Sequence, residues 1–110
     1  MLVIELNTPG GLLQATRDIV TEFLNAKIPI VVYVAPAGSR AASAGVFITL
    51  AAHFAVMAPG TNIGAAHPVS SQGQMDSVMS EKVTNDAAAF IRTISEKRKK
   101  NIQWAEEAVR

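Results

Sequence analysis

Ser43 stands between the most β-prone run of the chain, Ile30-Val31-Val32-Tyr33-Val34, and an alanine-rich segment, Ala44 to Ala52, long enough for about two helical turns. A serine at such a strand-to-helix turn carries its hydroxyl to the positive end of a helix, beside backbone N–H groups without intrahelical acceptors. A nucleophile and a place to hold an oxyanion would then coincide. A plainer role is also open, in which Ser43 is only a helix N-cap and the small residues of Ala41-Ala42-Ser43-Ala44-Gly45 let two backbones pack closely. Compared with the hydrolase elbow Gly-x-Ser-x-Gly, Ala41 occupies the place of the first glycine.

A serine hydroxyl is a weak nucleophile until a base takes its proton. Two downstream residues are candidates, His67 and Lys82. An imidazole ordinarily exchanges its proton near neutral pH. A lysine must be desolvated or placed in positive potential to do so, and Lys82 falls at the start of a predicted helix, Glu81 to Lys100, where the dipole helps. The residues alone leave the two open. His53 reads as a helix-end residue rather than a ligand, and two histidines with no cysteine give a metal site no support.

The elements that must position these groups follow from periodicity. Leu2 to Leu6 reads as a mostly buried strand, followed by the turn Asn7-Thr8-Pro9-Gly10-Gly11, whose glycines leave N–H groups unobstructed. Apolar residues at Leu12, Leu13, Ile19, Val20, Phe23 and Leu24 have the period of a helix lying on a sheet, and the strand Ile30 to Val34 completes a βαβ unit with parallel strands. Phe54 to Met57 is a third strand, expected to be buried, leading into the loop Ala58 to Ala65. Loops after the carboxyl ends of parallel strands share one edge, where open α/β folds bind ligands. Three glycine-bearing loops are therefore expected around Ser43, with Pro9, Gly64 and Ala65 as candidate substrate-binding residues.

Beyond them, Val69 to Ser77 has no sustained period and reads as a loop, either an ordinary surface loop or a lid over substrate. In the helix that follows, Val83, Ala87, Phe90, Ile91 and Ile94 form the packed side. Lys97-Arg98-Lys99-Lys100 reads as its solvated end, and Asn101 as the N-cap of a last helix, Ile102 to Val109.

Composition sets the bounds. A chain of 110 residues, 49% hydrophobic with a formal charge of +1, is one domain with a buried core and no dedicated polyanion binder. The apolar run Ala41 to Ala58 is at the short limit for a membrane span and is mostly alanine, so a core helix and strand fit it better. The chain begins within a strand at Met1-Leu2-Val3 and stops within a helix at Ala108-Val109-Arg110, so both ends of the domain are expected to be incomplete.

Four blocks carry a resemblance: Glu5-Leu6-Asn7-Thr8-Pro9-Gly10-Gly11, Ala41-Ala42-Ser43-Ala44-Gly45, Met57 to Ala65, and Lys82-Val83-Thr84-Asn85-Asp86. In order and spacing they resemble the protease domain of NfeD-type membrane-bound serine proteases, the stomatin-operon partner proteases of the ClpP/crotonase superfamily. The resemblance spans essentially the whole chain and implies a ClpP/crotonase-like α/β fold of parallel βαβ units with helices packed on the sheet. It implies a Ser-Lys dyad of Ser43 and Lys82, with an oxyanion hole from the backbone N–H of Gly10 or Gly11 and of Ala44. His67 matches the place where ClpP-type proteases keep their histidine, and stays the alternative base. No cofactor, metal or nucleic acid is implied. Family members cleave hydrophobic segments, including those of a stomatin-like partner, and form dimers or larger homo-oligomers. They attach to membranes through segments absent from this chain, with the protease domain on the extracytoplasmic side, so this chain alone is expected to be soluble. Two rivals are a crotonase-like acyl-CoA enzyme, for which only Asp76 or Glu81 offers a carboxylate, and a non-catalytic domain that binds hydrophobic protein segments.

Overall fold

A computed structural model describes residues 1–69 and 76–110. The chain forms β1 (Leu2–Leu6), α1 (Leu13–Leu24), β2 (Ile30–Val34), β3 (Arg40–Ala42), α2 (Ala44–Ala51), β4 (Phe54–Met57), β5 (Asn62–Gly64), α3 (Ser77–Arg98) and α4 (Ile102–Val109). β1, β2 and β4 make a parallel sheet with β2 in the centre, as the βαβ reading requires. A second, smaller parallel sheet pairs β3 with β5. These two three-residue strands were not foreseen, because three residues are too few to display a period of two.

Among the described residues, only one face of the larger sheet is covered. Ile30, Val32 and Val34 of β2 are buried there, under Val20 and Phe23 of α1 and Val46, Phe47 and Leu50 of α2. On the other face, Val3, Val31 and Phe54 lie in register, as do Glu5, Tyr33 and Val56, and Val3, Tyr33, Phe54 and Val56 are exposed. The expectation that β1 and β4 are buried is thereby corrected. Both are edge strands, and all four residues of β4 are exposed.

α2 is the central helix, buried at every position except Ile48. A helix apolar all round belongs inside a core, and its one hydroxyl, Thr49 Oγ1, is satisfied by donating to Gly45 O at 2.7 Å. Gly45 is required by close packing: a Cβ there would fall 2.8 Å from Thr8 Cγ2. Ala87, Ala88, Ile91 and Ile94 of α3 and Ala105 and Val109 of α4 complete the core.

α3 begins a turn earlier than its pattern indicated, at Ser77, because Asp76 Oδ1 accepts from Met79 N–H as an N-cap. The end of the stretch read as a loop or lid is therefore helix, and its centre, residues 70–75, lies outside the described residues. The basic end of α3 also differs from a solvated terminus. Arg98 turns back to donate from Nε to Ala51 O and from Nη2 to Phe23 O, both at 2.8 Å. These carbonyls lie at the C-terminal ends of α2 and α1, where a cation is favoured. Asn101 caps α4 as expected, accepting from Trp104 N–H at 2.9 Å.

Candidate active site

The strand β3 lies between two neighbours. On one side Thr8 N–H donates to Arg40 O and Ala42 N–H to Thr8 O, and on the other β5 pairs with it in register. Ser43 follows β3 directly, so the loop after β1 and the end of β5 flank it. Ser43 N–H donates to Gly64 O at 3.1 Å, and a Cβ built on Gly10 would lie 2.8 Å from Ser43 Cβ and 3.1 Å from Ser43 Oγ. Gly10, Ser43 and Gly64 thus meet, with Pro9 and Ala65 beside them in sequence.

The backbone of this junction is strained. Ser43 has φ 53° and ψ −115°, a conformation that side-chain-bearing residues rarely adopt, and Ala65 also has positive φ, at 56°. Gly10 and Gly64 are at φ 140° and 147°. Ser43 is the residue preceding α2, yet its side chain makes no cap hydrogen bond. Its hydroxyl is carried out of the chain at the head of a buried helix, the geometry that a nucleophile elbow imposes.

The N–H groups near the hydroxyl differ in availability. Gly10 N–H donates to Thr8 Oγ1 at 3.1 Å. Gly11 N–H and Ala44 N–H have no acceptor among the described residues, and the Cβ position of Gly11 is 4.0 Å from Ala44 Cβ.

The three helices around the site share a direction. Arg98 of α3 reaches the C-terminal carbonyls of both α1 and α2, whereas at the other end Arg17 of α1 pairs with Asp86 of α3. Between these points the rings of Phe47 in α2 and Phe90 in α3 stack at 5.8 Å. Ser43 lies about 6 Å before Phe47 along α2, and Lys82 about 12 Å before Phe90 along α3. The positive ends of α1, α2 and α3 therefore point the same way, and Ser43 and Lys82 both lie on that side of the ring stack, with the start of α3, about 20 Å before Phe90, well beyond Ser43. The Lys82 side chain is exposed, with no hydrogen bond to Ser43 and no ion pair among the described residues. Because α3 starts at Ser77, Lys82 is in the second turn rather than at the helix start, beyond the strongest reach of the dipole.

His67 is tied elsewhere. Its Nδ1 is 2.9 Å from Val109 O, next to the bond from Ala66 N–H to Ala108 O, so this segment is anchored to the end of α4. His53 follows α2, and its Nδ1 accepts from Ile30 N–H at 3.0 Å. Asp76 is occupied as the cap of α3, which leaves Glu81 as the more available of the two carboxylates an acyl-CoA enzyme could use.

Fold and site together define an α/β protein of parallel strands with a serine elbow at the head of its central helix. Residues 1–109 match the family model described as NfeD1b, N-terminal domain, and the chain belongs to that family. It is 41% identical to the membrane-bound protease PH1510 of Pyrococcus horikoshii, over 98% of this chain and 25% of that protein. It is also 40% identical to the membrane protein NfeD1b of Bacillus subtilis, over 66% of this chain and 16% of that protein. Among solved structures, a mutant of the 1510-N membrane-bound stomatin-specific protease with a serine changed to alanine superposes with a TM-score of 0.86 at 39% identity, covering 97% of this chain and 53% of that one. A mutant with a lysine changed to alanine, in complex with a substrate peptide, gives 0.85 at the same identity, covering 97% and 50%. The chain spans about half of those solved structures and a quarter or less of the two full-length relatives. Among the described residues no helix is long and apolar enough to cross a membrane.

Proposed function

We propose that this chain carries the catalytic residues of a serine endopeptidase working through an acyl-enzyme. The strained turn at Ser43, whose hydroxyl makes no cap hydrogen bond, beside the Gly11 and Ala44 N–H groups that have no acceptor among the described residues, carries this reading. Ser43 Oγ attacks the peptide carbonyl carbon while Lys82 Nζ takes its proton. The carbonyl oxygen becomes an oxyanion held by the N–H groups of Gly11 and Ala44, Gly10 N–H being engaged by Thr8. Collapse breaks the C–N bond, and Lys82 returns the proton to the leaving amine. Water then attacks the acyl ester while Lys82 takes its proton, and Lys82 passes that proton to Ser43 Oγ as the ester C–O bond breaks.

Lys82 is preferred over His67 because it lies in the second turn of α3, on the Ser43 side of the Phe47–Phe90 stack, whereas His67 is held at the end of α4. The solved relatives support a serine and a lysine as the residues that matter, since each was removed in one of them. Pro9, Gly64 and Ala65 border the elbow and are assigned to substrate binding. A hydrophobic segment of a stomatin-like protein is the proposed substrate, by analogy with the named specificity of those relatives, and membrane association and homo-oligomerisation belong to the same proposal.

Intact-mass labelling with a fluorophosphonate tests the chemistry. One adduct is expected on the wild type and on His67→Ala, and none on Ser43→Ala or Lys82→Ala. Labelling lost with the histidine change and retained with the lysine change would reassign the base.

A further inference from the structure

An amine acts as a base only when unprotonated, and a carboxylate a few ångströms away favours its ammonium form. Lys82 has such a group on its own helix face, because Asp86 follows it by one turn. Yet Asp86 Oδ2 is taken at 2.5 Å by Nη2 of Arg17, reaching across from α1. The Arg17 guanidinium carbon also sits 4.2 Å from the centroid of the Phe90 ring, so the cation is held by both a charge and a π face. Asn85, the other residue a turn ahead of Lys82, accepts from Arg110 Nη1 at 3.1 Å. A turn behind, the same strip carries Val78 and Met79, both apolar and exposed.

Lys82 is thus flanked by two apolar side chains on one side and, on the other, by two polar ones each engaged by a guanidinium. On α1, Asp18 accepts from Gln14 Nε2 at 3.0 Å. Glu81 projects about 100° around the helix from Lys82, Asp76 caps α3, and Glu106 of α4 pairs with Arg92. α2 carries no charged side chain.

We propose that Arg17 is a positioning residue for the base: by capturing Asp86 across the α1–α3 contact, it denies Lys82 the carboxylate of its own helix face and leaves the amine without a counter-ion there. This rests on the Ser43–Lys82 reading.

Two changes that break the same ion pair separate this role from a bracing one. In the intact protein, the rate of Ser43 phosphonylation by a fluorophosphonate is followed from neutral to alkaline pH. Arg17→Met, which keeps an apolar contact for Phe90, frees Asp86 and should move the acidic limb of the profile to higher pH. Asp86→Asn leaves Arg17 without its counter-ion and should move the limb down. The double variant Arg17→Met/Asp86→Asn should return most of the way to wild type. Equal losses in the two single variants with the limb unmoved would overturn the proposal. If Arg17→Met does not fold by circular dichroism, Asp86→Asn alone decides, an unmoved or raised limb refuting it. Failure of the dyad itself reads differently, as wild-type labelling of Lys82→Ala at every pH.

Discussion

At Ser43 a non-glycine residue is held at positive φ, and such a conformation costs on the order of 1–3 kcal/mol, persisting only where the surroundings over-determine it. Here the bond from Ser43 N–H to Gly64 O and the packing of β3 against Thr8 do so. Ser43→Gly should therefore raise the free energy of unfolding by about 1 kcal/mol in chemical denaturation while abolishing phosphonate labelling. Ser43→Ala should abolish labelling without that gain. Gly10 faces the same hydroxyl at φ 140° with no room for a Cβ, so Gly10→Ala should both destabilise the fold and slow labelling by displacing the Ser43 side chain. Away from the site, Ser95 Oγ is buried without a hydrogen-bond partner among the described residues. Removing it in Ser95→Ala should stabilise by about 1 kcal/mol, read as a raised urea midpoint at constant slope.

Helices α1, α2 and α3 run in the same direction, with the negative ends of α1 and α2 gathered at Arg98 of α3. One guanidinium supplies donors to carbonyls from two helices, so Arg98→Met should cost about 2 kcal/mol or more by denaturant titration. The sequence showed a basic run at a helix end and suggested solvation. Arg98 is distinguished from Lys97 and Lys99 only by the two helix ends within its reach, which no local pattern encodes. The exposed pairs of Arg92 with Glu96 and Glu106 raise the Arg92 pKa, chiefly through the Glu96 hydrogen bond, and should contribute little to stability.

For the molecule as a whole, the pH dependence of stability has one identifiable alkaline contribution. Burial and, secondarily, the neighbouring Arg98 lower the pKa of Lys100. An ammonium that holds its proton less tightly when folded is bound more by the unfolded chain between the two pKa values. Stability therefore rises with pH through that window, and the cost is fully present below it. Lys100→Met should remove that cost, raising neutral-pH stability by about a few tenths of a kcal/mol, because the group is largely solvated. Thermal melts from neutral to alkaline pH should show the variant's advantage shrinking as Lys100 deprotonates.

Local pattern alone determined the β1–α1–β2 unit, the short helix after Ser43, the capped last helix and the glycine-bearing turn after β1, because each is written in a period or a turn residue within about a dozen positions. It did not reveal β3 and β5, which are strands only because Thr8 and each other lie alongside. Nor did it decide burial: the apolar runs of β1 and β4 express a tendency to leave water, but a side chain is buried only where another layer packs on it. The surroundings of Lys82 were equally illegible, since Arg17 and Asp86 are 69 positions apart. Tertiary structure alone brings a cation from α1 against the helix that bears the amine.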